Sequence, residues 1–426
     1  MYFGVIASFS SVFLLARGYS NSEIGIILAL ANTISIIVQP FLAEWADRGR
    51  KSTIFATIEI ITALNLVLST VMMFKQERSF ALTFSFILCY SLMMTSQPFI
   101  NAVNRRLEET GAKIAFGTCR AIGSLAYAIL CFFMGSLVEK YGTGILPPAG
   151  DFFLILIMLV VFLTYRSYQR TINMEVSKSS SAPKNTGYIE KDVAYIPSKS
   201  AGTATMEEPR EFESKEPSGY SGDYASDDYR VITLQEFIKS HRLFFIMSMG
   251  IMWLYFANTV PNAYMAQIVN DVGGDASDVG RILSLLALTE LPTLILFDRL
   301  YKRFRTESML KLASVAYVVW TLVHFLAKSV GMLLGAQMIH FLAFPLFLPA
   351  MVRFIDGNMR EGEAVKGQTL FTVMVTIGNL GASLIGGLIL DLAGAKTLLL
   401  IGVFAAIVGC AFIFLMIGRV SKEVPN

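Results

Sequence analysis

The sequence carries little charge: Asp, Glu, Lys and Arg make up 16% of its 426 residues, while 54% are hydrophobic. Mean hydropathy is +0.58, outside the range of ordinary water-soluble domains. Cysteine is scarce as well. Cys89, Cys119, Cys131 and Cys410 all fall inside apolar stretches, without the paired spacing of a metal site. They read as small packing residues, and neither a disulfide framework nor a metal centre is expected. Histidine occurs three times. There is no phosphate-cradling glycine loop and no nucleophile with a base at a useful spacing, so the chain is not expected to be an enzyme or to hold a resident cofactor. A net charge of +3 gives no reason to expect nucleic acid as a partner.

What is abundant is long apolar runs. A bilayer-crossing helix takes roughly 17–25 mostly apolar residues. Such runs lie near 22–43, 52–73, 80–101, 115–138, 151–167, 242–268, 277–298, 308–327, 330–355, 364–390 and 394–418, with an apolar fragment at 1–15 before them. Lipid offers no partner for backbone N–H and C=O groups, so every run must be helical. Taking the fragment as span 1, the runs number six plus six about a polar centre. The expected fold is all-α and polytopic: two six-helix bundles, 12 transmembrane helices in all, around a central cavity. The domains are expected at 1–169, 170–232 and 233–426. Span 1 is short, and we expect it to lack one to three turns. No basic n-region or small-residue cleavage site marks it as a signal peptide.

The segment 170–232 is rich in Ser, Gly, Pro, Lys, Glu and Asp, with scattered tyrosines and few aliphatic residues. It cannot bury enough apolar surface to offset its ordering entropy, so it reads as a disordered cytoplasmic tether. Thr233-Leu234-Gln235-Glu236 has the pattern of a capping box that starts a short helix before span 7. Basic residues concentrate in alternate loops, among them Arg48, Arg50, Lys51, Arg105, Arg106, Arg299, Lys302, Arg303 and Arg305. The positive-inside rule then puts both termini and the linker in the cytoplasm, with the protein in the cell membrane. We expect it to be a monomer whose partners are the bilayer and a small polar solute.

The halves echo one another. Asp47-Arg48 after span 2 and Asp298-Arg299 after span 8 stand 251 residues apart (298 − 47). Gly135, Glu139 and Gly142 near the end of span 5 correspond to Gly387, Asp391 and Gly394 in span 11, at an offset of 252 (391 − 139). Matching charged turns in matching places argue for a duplicated six-helix unit.

Polar residues within the spans fall on helical stripes: Asn32, Ser35 and Gln39 in span 2; Gln97, Asn101 and Asn104 in span 4; Arg120, Ser124 and Tyr127 in span 5; Tyr255, Asn258 and Asn262 in span 7; Gln368, Thr372, Thr376 and Asn379 in span 11. Such groups tie helices together in any bundle. Five stripes favour a hydrated cavity, because polar groups are costly against lipid. Arg120 has a second reading, since a long side chain near a helix end can snorkel to the surface. Glu290 lies midway along span 8, too deep to reach headgroups, and a carboxyl so placed is suited to loading and releasing a proton. His340 in span 10 has intrinsic chemistry that suits the same task. For each, the alternative is a structural hydrogen bond between helices.

The six–linker–six layout and its acidic-basic turns resemble the major facilitator superfamily. Ser22-Glu23-Ile24-Gly25-Ile26-Ile27, Gln39-Pro40-Phe41, Phe116-Gly117-Thr118-Cys119-Arg120 and Gly367-Gln368-Thr369-Leu370-Phe371 resemble its oligosaccharide:proton symporter, lactose-permease-like, branch. The resemblance implies that Arg120 binds solute hydroxyls, that Tyr127 stacks on a ring, and that Glu290 and His340 form part of a proton site. It implies no cofactor beyond the coupling proton. The chain departs from the pattern where Asn101 replaces an acid, where Val319 or Trp320 stands for an arginine, and where Ala343 replaces a second acid. In the turn after span 2, Gly49 follows Arg48 directly and Ala43 replaces a glycine. Lactose is therefore disfavoured as the solute. The expected function is proton-coupled uptake of a sugar or oligosaccharide, with a nucleoside or small organic acid still open. Substrate contacts are expected from Arg120, Tyr127, Asn101, Asn258, Asn262, Thr376 and Asn379, and gating from Asp47, Arg48, Asp298 and Arg299. Two other readings are a drug:proton antiporter, against which span 5 lacks a closing Gly-Pro, and a non-transporting sensor of the same fold.

Overall fold

The computed structural model describes residues 1–48, 53–75, 77–108, 116–181, 234–359 and 363–423. The linker expected at 170–232 lies mostly outside them, as do Gly49, Arg50 and Lys51 of the turn after span 2. The chain divides into two units, one comprising Met1–Ile172 with Ile232–Asn426 and the other Asn173–Val231. The first unit contains all the expected spans.

Every span is helical, as the bilayer requires. Span 1 is two short helices, α1 (Tyr2–Ile6) and α2 (Ser10–Ala16). Then come α3 (Asn21–Arg48), α4 (Thr53–Phe74), α5 (Phe80–Glu108), α6 (Phe116–Tyr141) and α7 (Leu146–Ser181). The short α8 (Leu234–Ser240) forms where the capping-box pattern places it and leads into α9 (Arg242–Ala263), α10 (Met265–Asp271), α11 (Ala276–Arg303) and α12 (Thr306–Leu326). The last elements are α13 (Val330–His340), α14 (Phe344–Asn358) and α15 (Ala364–Glu423). Among the described residues nine stretches are long and apolar enough to cross a bilayer, and the ninth contains spans 11 and 12. They are separated at Gly394, whose φ of 78° and ψ of 176° break the helix.

Two further spans, each expected as a single helix, are interrupted. Span 7 changes direction at Tyr264, three residues after Pro261, and continues as α10. Span 10 breaks between His340 and Phe344, with Pro345 in the first turn of α14, where a missing N–H costs nothing.

Among the described residues four glycines have positive φ: Gly18, Gly142, Gly273 and Gly394, which make the turns after α2, α6, α10 and span 11. A side chain there would be strained. They fall into two pairs, 255 residues (273 − 18) and 252 residues (394 − 142) apart, which extends the internal repeat. All four turns lie at one end of the molecule. The other end, called the basic end below, carries the termini of α3 and α11 with Arg48 and Arg303.

The two halves meet through α6 packed along α11 and α3 packed along α15. One buried cluster joins Phe9, Leu28 and Phe86 to Tyr264, Ile282 and Leu398. Lipid tails are as apolar as these side chains, so close packing rather than water exclusion must hold the helices. Glycine permits that contact. A Cβ on Gly280 would strike the carbonyl of Cys131, and one on Gly25 the carbonyl of Ser383. The struck residues are again 252 apart (383 − 131).

Candidate functional site

The break in span 10 organises the interior of the C-terminal half. The tight turn there bonds Leu342 N–H to the Ile339 carbonyl and Ala343 N–H to the His340 carbonyl. The Phe341 carbonyl is left facing α11, where the Thr293 hydroxyl donates to it at 2.8 Å. Irregular backbone at membrane depth needs such a partner. Three residues earlier on the same helix stands Glu290, so the contact that satisfies the break also presents the carboxylate to His340. Glu290 Oε1 is 3.9 Å from His340 Nδ1, with the side chains 20% and 2% exposed. His340 packs on Trp320, with ring centroids 5.0 Å apart, and stacks on Phe344 at 6.2 Å. Its Nδ1 is buried without a hydrogen bond.

Behind this pair is a network that the polar stripes of the sequence did not bring out. His324 Nδ1 donates to the Trp320 carbonyl at 2.8 Å, leaving Nε2 as acceptor. Gln337 donates to that Nε2 at 3.1 Å and to the Leu333 carbonyl at 3.2 Å. The Gln337 carbonyl oxygen accepts from Trp320 Nε1 at 3.4 Å. Every group is used, and the arrangement requires a neutral His324. The signal was available: Tyr317, Trp320, Thr321 and His324 are spaced three, four and seven apart in span 9.

Tyr127 on α6 faces span 1. Its hydroxyl lies 2.7 Å from Ser8 Oγ and its ring centroid 6.2 Å from that of Phe3. On α9, Asn262 donates to the Asn258 carbonyl at 2.8 Å, so it is folded onto its own helix. Asn258 Oδ1 is buried and without a partner, as are the hydroxyls of Tyr255 and Tyr317. Asn379 accepts from Thr259 at 2.6 Å and so ties span 7 to span 11. Thr376 is half-buried one turn before it. The helical backbones at Arg120, Asn101, Asp47, Arg48 and Asp298 are described, but their side chains lie outside the described residues. Arg299 is exposed at the basic end.

At the end opposite the basic one the halves are clasped. Asp391 accepts from the backbone N–H groups of Asn21 (3.2 Å) and Ser22 (2.7 Å), and from Asn21 Nδ2 at 2.8 Å. Its repeat counterpart Glu139 accepts from Ala276 N–H at 3.2 Å. Each acid thus sits on the first turn of a helix from the other half, where the unpaired N–H groups and the helix dipole favour a negative charge. Ser136 pairs with Ser277 at 3.2 Å and Gln267 donates to Asn21 at 2.9 Å. These hydrogen bonds between the halves, and that of the Ser11 hydroxyl to the Ala263 carbonyl, lie toward this end. No group of three His, Cys, Asp or Glu side chains among the described residues could hold a metal.

No curated protein sequence matches the chain. Solved structures do match it. The nucleoside transporter NupG shares 13% identity over 98% of this chain and 95% of its own, with a TM-score of 0.67. A single-residue mutant of that transporter gives 12%, 98%, 96% and 0.68. A bacterial homolog to the human lysosomal transporter Spinster, in an inward-facing and unoccupied conformation, gives 13%, 100%, 95% and 0.57. At these identities the likeness is one of fold. The family model described as the MFS_1 like family matches residues 1–401. Membrane-spanning helices in two repeated halves, clasped through spans 2, 5, 8 and 11, and a family match over nearly the whole length lead to one conclusion: the chain belongs to the MFS_1 like family, of the major facilitator superfamily.

Proposed function

We propose that the protein is a secondary active transporter that takes up a small polar solute together with protons by alternating access. The observation that carries this reading is the Glu290–His340 pair, held at a break in span 10 by the Thr293 contact. Ionisable groups at this depth mark ion and proton paths, and interrupted helices mark transporter binding sites. Buried, unpartnered atoms nearby, Asn258 Oδ1 and the hydroxyls of Tyr255 and Tyr317, offer hydrogen bonds to a polyhydroxylated solute. Each such atom left unpaired costs about 1–3 kcal/mol, a penalty that a bound hydroxyl relieves. A sugar or oligosaccharide fits this donor and acceptor set. A nucleoside fits it too, and similarity in fold to a nucleoside transporter adds to that reading.

The test is a thermal-shift screen of the purified chain against sugars, nucleosides and small organic acids, followed by uptake into proteoliposomes under an imposed proton gradient. A ligand that binds only the folded state raises its apparent stability. Accumulation of the stabilising solute, abolished by a protonophore, supports proton-coupled uptake. Solute binding with no flux would favour the sensor reading, and exchange of an apolar cation for protons the antiporter.

A further inference from the structure

Away from the clasp and the Glu290 cluster, a groove of about 610 Å³ runs between α4 and α7. Its walls include Phe55, Ile60, Leu159, Phe162 and Tyr165. Ile60, Leu159 and Phe162 are 51%, 52% and 55% exposed. On spans of this hydropathy, such faces meet lipid acyl chains. Among the lining residues Glu59 alone carries charge, and its Oε1 is buried without a hydrogen-bond partner. Ionisable groups inside spans are costly and are commonly paired or turned toward water. Glu59 instead opens on an apolar groove at the perimeter.

Depth narrows the choice of occupant. Glu59 lies six residues past Thr53, about 9 Å along α4 at 1.5 Å per residue. One turn nearer the basic end, the Phe55 ring lies between Tyr165 and Tyr168, with centroids 5.4 and 5.5 Å away. Tyrosines gather at the level of the headgroups, and Tyr165 lines the groove there. A carboxylate just beneath them is within reach of a headgroup amine but remote from bulk solutes.

We propose that the α4–α7 groove binds a bilayer phospholipid with a primary-amine headgroup. Its ammonium pairs with Glu59, and one acyl chain lies along Ile60, Leu159 and Phe162. A primary ammonium donates charge-assisted hydrogen bonds to the carboxylate. A trimethylammonium headgroup has no N–H to donate and is bulkier, so the groove discriminates between the two lipid classes. The groove shares no residue with the Glu290–His340 cluster.

The experiment is native mass spectrometry of the full chain released from nanodiscs with equal phosphatidylethanolamine and phosphatidylcholine. The wild type is expected to retain phosphatidylethanolamine at least fivefold over phosphatidylcholine at its last-released site. Glu59→Gln, which removes a charge that has no protein partner at Oε1, should lose that preference while keeping its thermal midpoint. Ile60→Trp keeps the carboxylate but fills the groove at an exposed position, and should lose the lipid as well. Equal retention of the two lipids by the wild type, or an unchanged preference in Glu59→Gln, would overturn the proposal. So would retention by Ile60→Trp, which would place the headgroup elsewhere.

Discussion

Glu290 Oε1 stands 3.9 Å from His340 Nδ1 across the break in span 10, and the contact that aligns them is the Thr293 hydroxyl on the Phe341 carbonyl. If Glu290 carries the coupling proton, its neutral mimic Glu290→Gln should bind solute within a few-fold of wild type yet lose uphill accumulation by tenfold or more. His340→Asn should alter the pH dependence less severely. Solute-induced alkalinisation in proteoliposomes measures both. Proton movement with solute in Glu290→Gln would show the assignment to be wrong.

The Trp320–Gln337–His324 network calls for a different outcome. Gln337→Leu leaves Trp320 Nε1 and His324 Nε2 without partners, at about 1–3 kcal/mol for each buried group. A fall of several degrees in the thermal midpoint is expected, with protons moved per solute unchanged. A changed stoichiometry at wild-type stability would move this network from scaffold to relay.

Thr293→Val keeps the shape of the side chain and removes the donor to the Phe341 carbonyl. Losing one hydrogen bond to a freed carbonyl costs about 1–3 kcal/mol. Because the same turn presents His340 to Glu290, coupling should weaken together with stability. Serine at this position should restore most of both, as measured by thermal midpoint and proteoliposome uptake.

The clasp predicts a shift in conformational equilibrium. Asp391→Asn weakens a carboxylate held on the first turn of α3, a loss of about 1–2 kcal/mol from dipole and charge-assisted hydrogen bonds. That is roughly a 5–30-fold change in the ratio of closed to open states. Spin labels at the exposed Lys140 and Lys328 should report a longer mean distance. Gly387→Val, whose side chain would strike the Asn21 carbonyl, should do the same more strongly. An unchanged distance distribution in both variants would remove the clasp from the gating cycle.

At the basic end, Asp47→Ala is expected to cut transport severalfold or more while solute affinity stays within a few-fold, if Asp47 and Arg48 hold the halves together in the opposite state. Wild-type flux in a correctly inserted variant would leave the turn as a topological anchor only.

How legible the site was depended on the residue. Glu290 and His340 stood out because ionisable groups are rare in apolar runs, and the structure places them side by side. Asn262 and Asn379 read equally well as solute contacts, yet in this conformation one bonds to its own helix and the other to Thr259. A stripe locates a face and does not say what the face meets. His324 shares a polar spacing with Tyr317, Trp320 and Thr321 in span 9, but its partner Gln337 lies on span 10, and only packing brings the two together.

The sequence by itself determined the helical class, the repeat offset and the turns between spans. These follow from a one-dimensional constraint, since the bilayer forces every apolar run of sufficient length to satisfy its own backbone. Tertiary structure decided the rest: that Thr293 repairs the break in span 10, that Gln337 fixes a neutral His324, that Glu139 and Asp391 sit on helix starts from the other half, and that Glu59 opens on a perimeter groove. Each of these depends on how a helix is rotated about its axis and what packs against it. Those quantities are set by the fit of side chains between helices distant in sequence, and no local pattern of hydropathy encodes them.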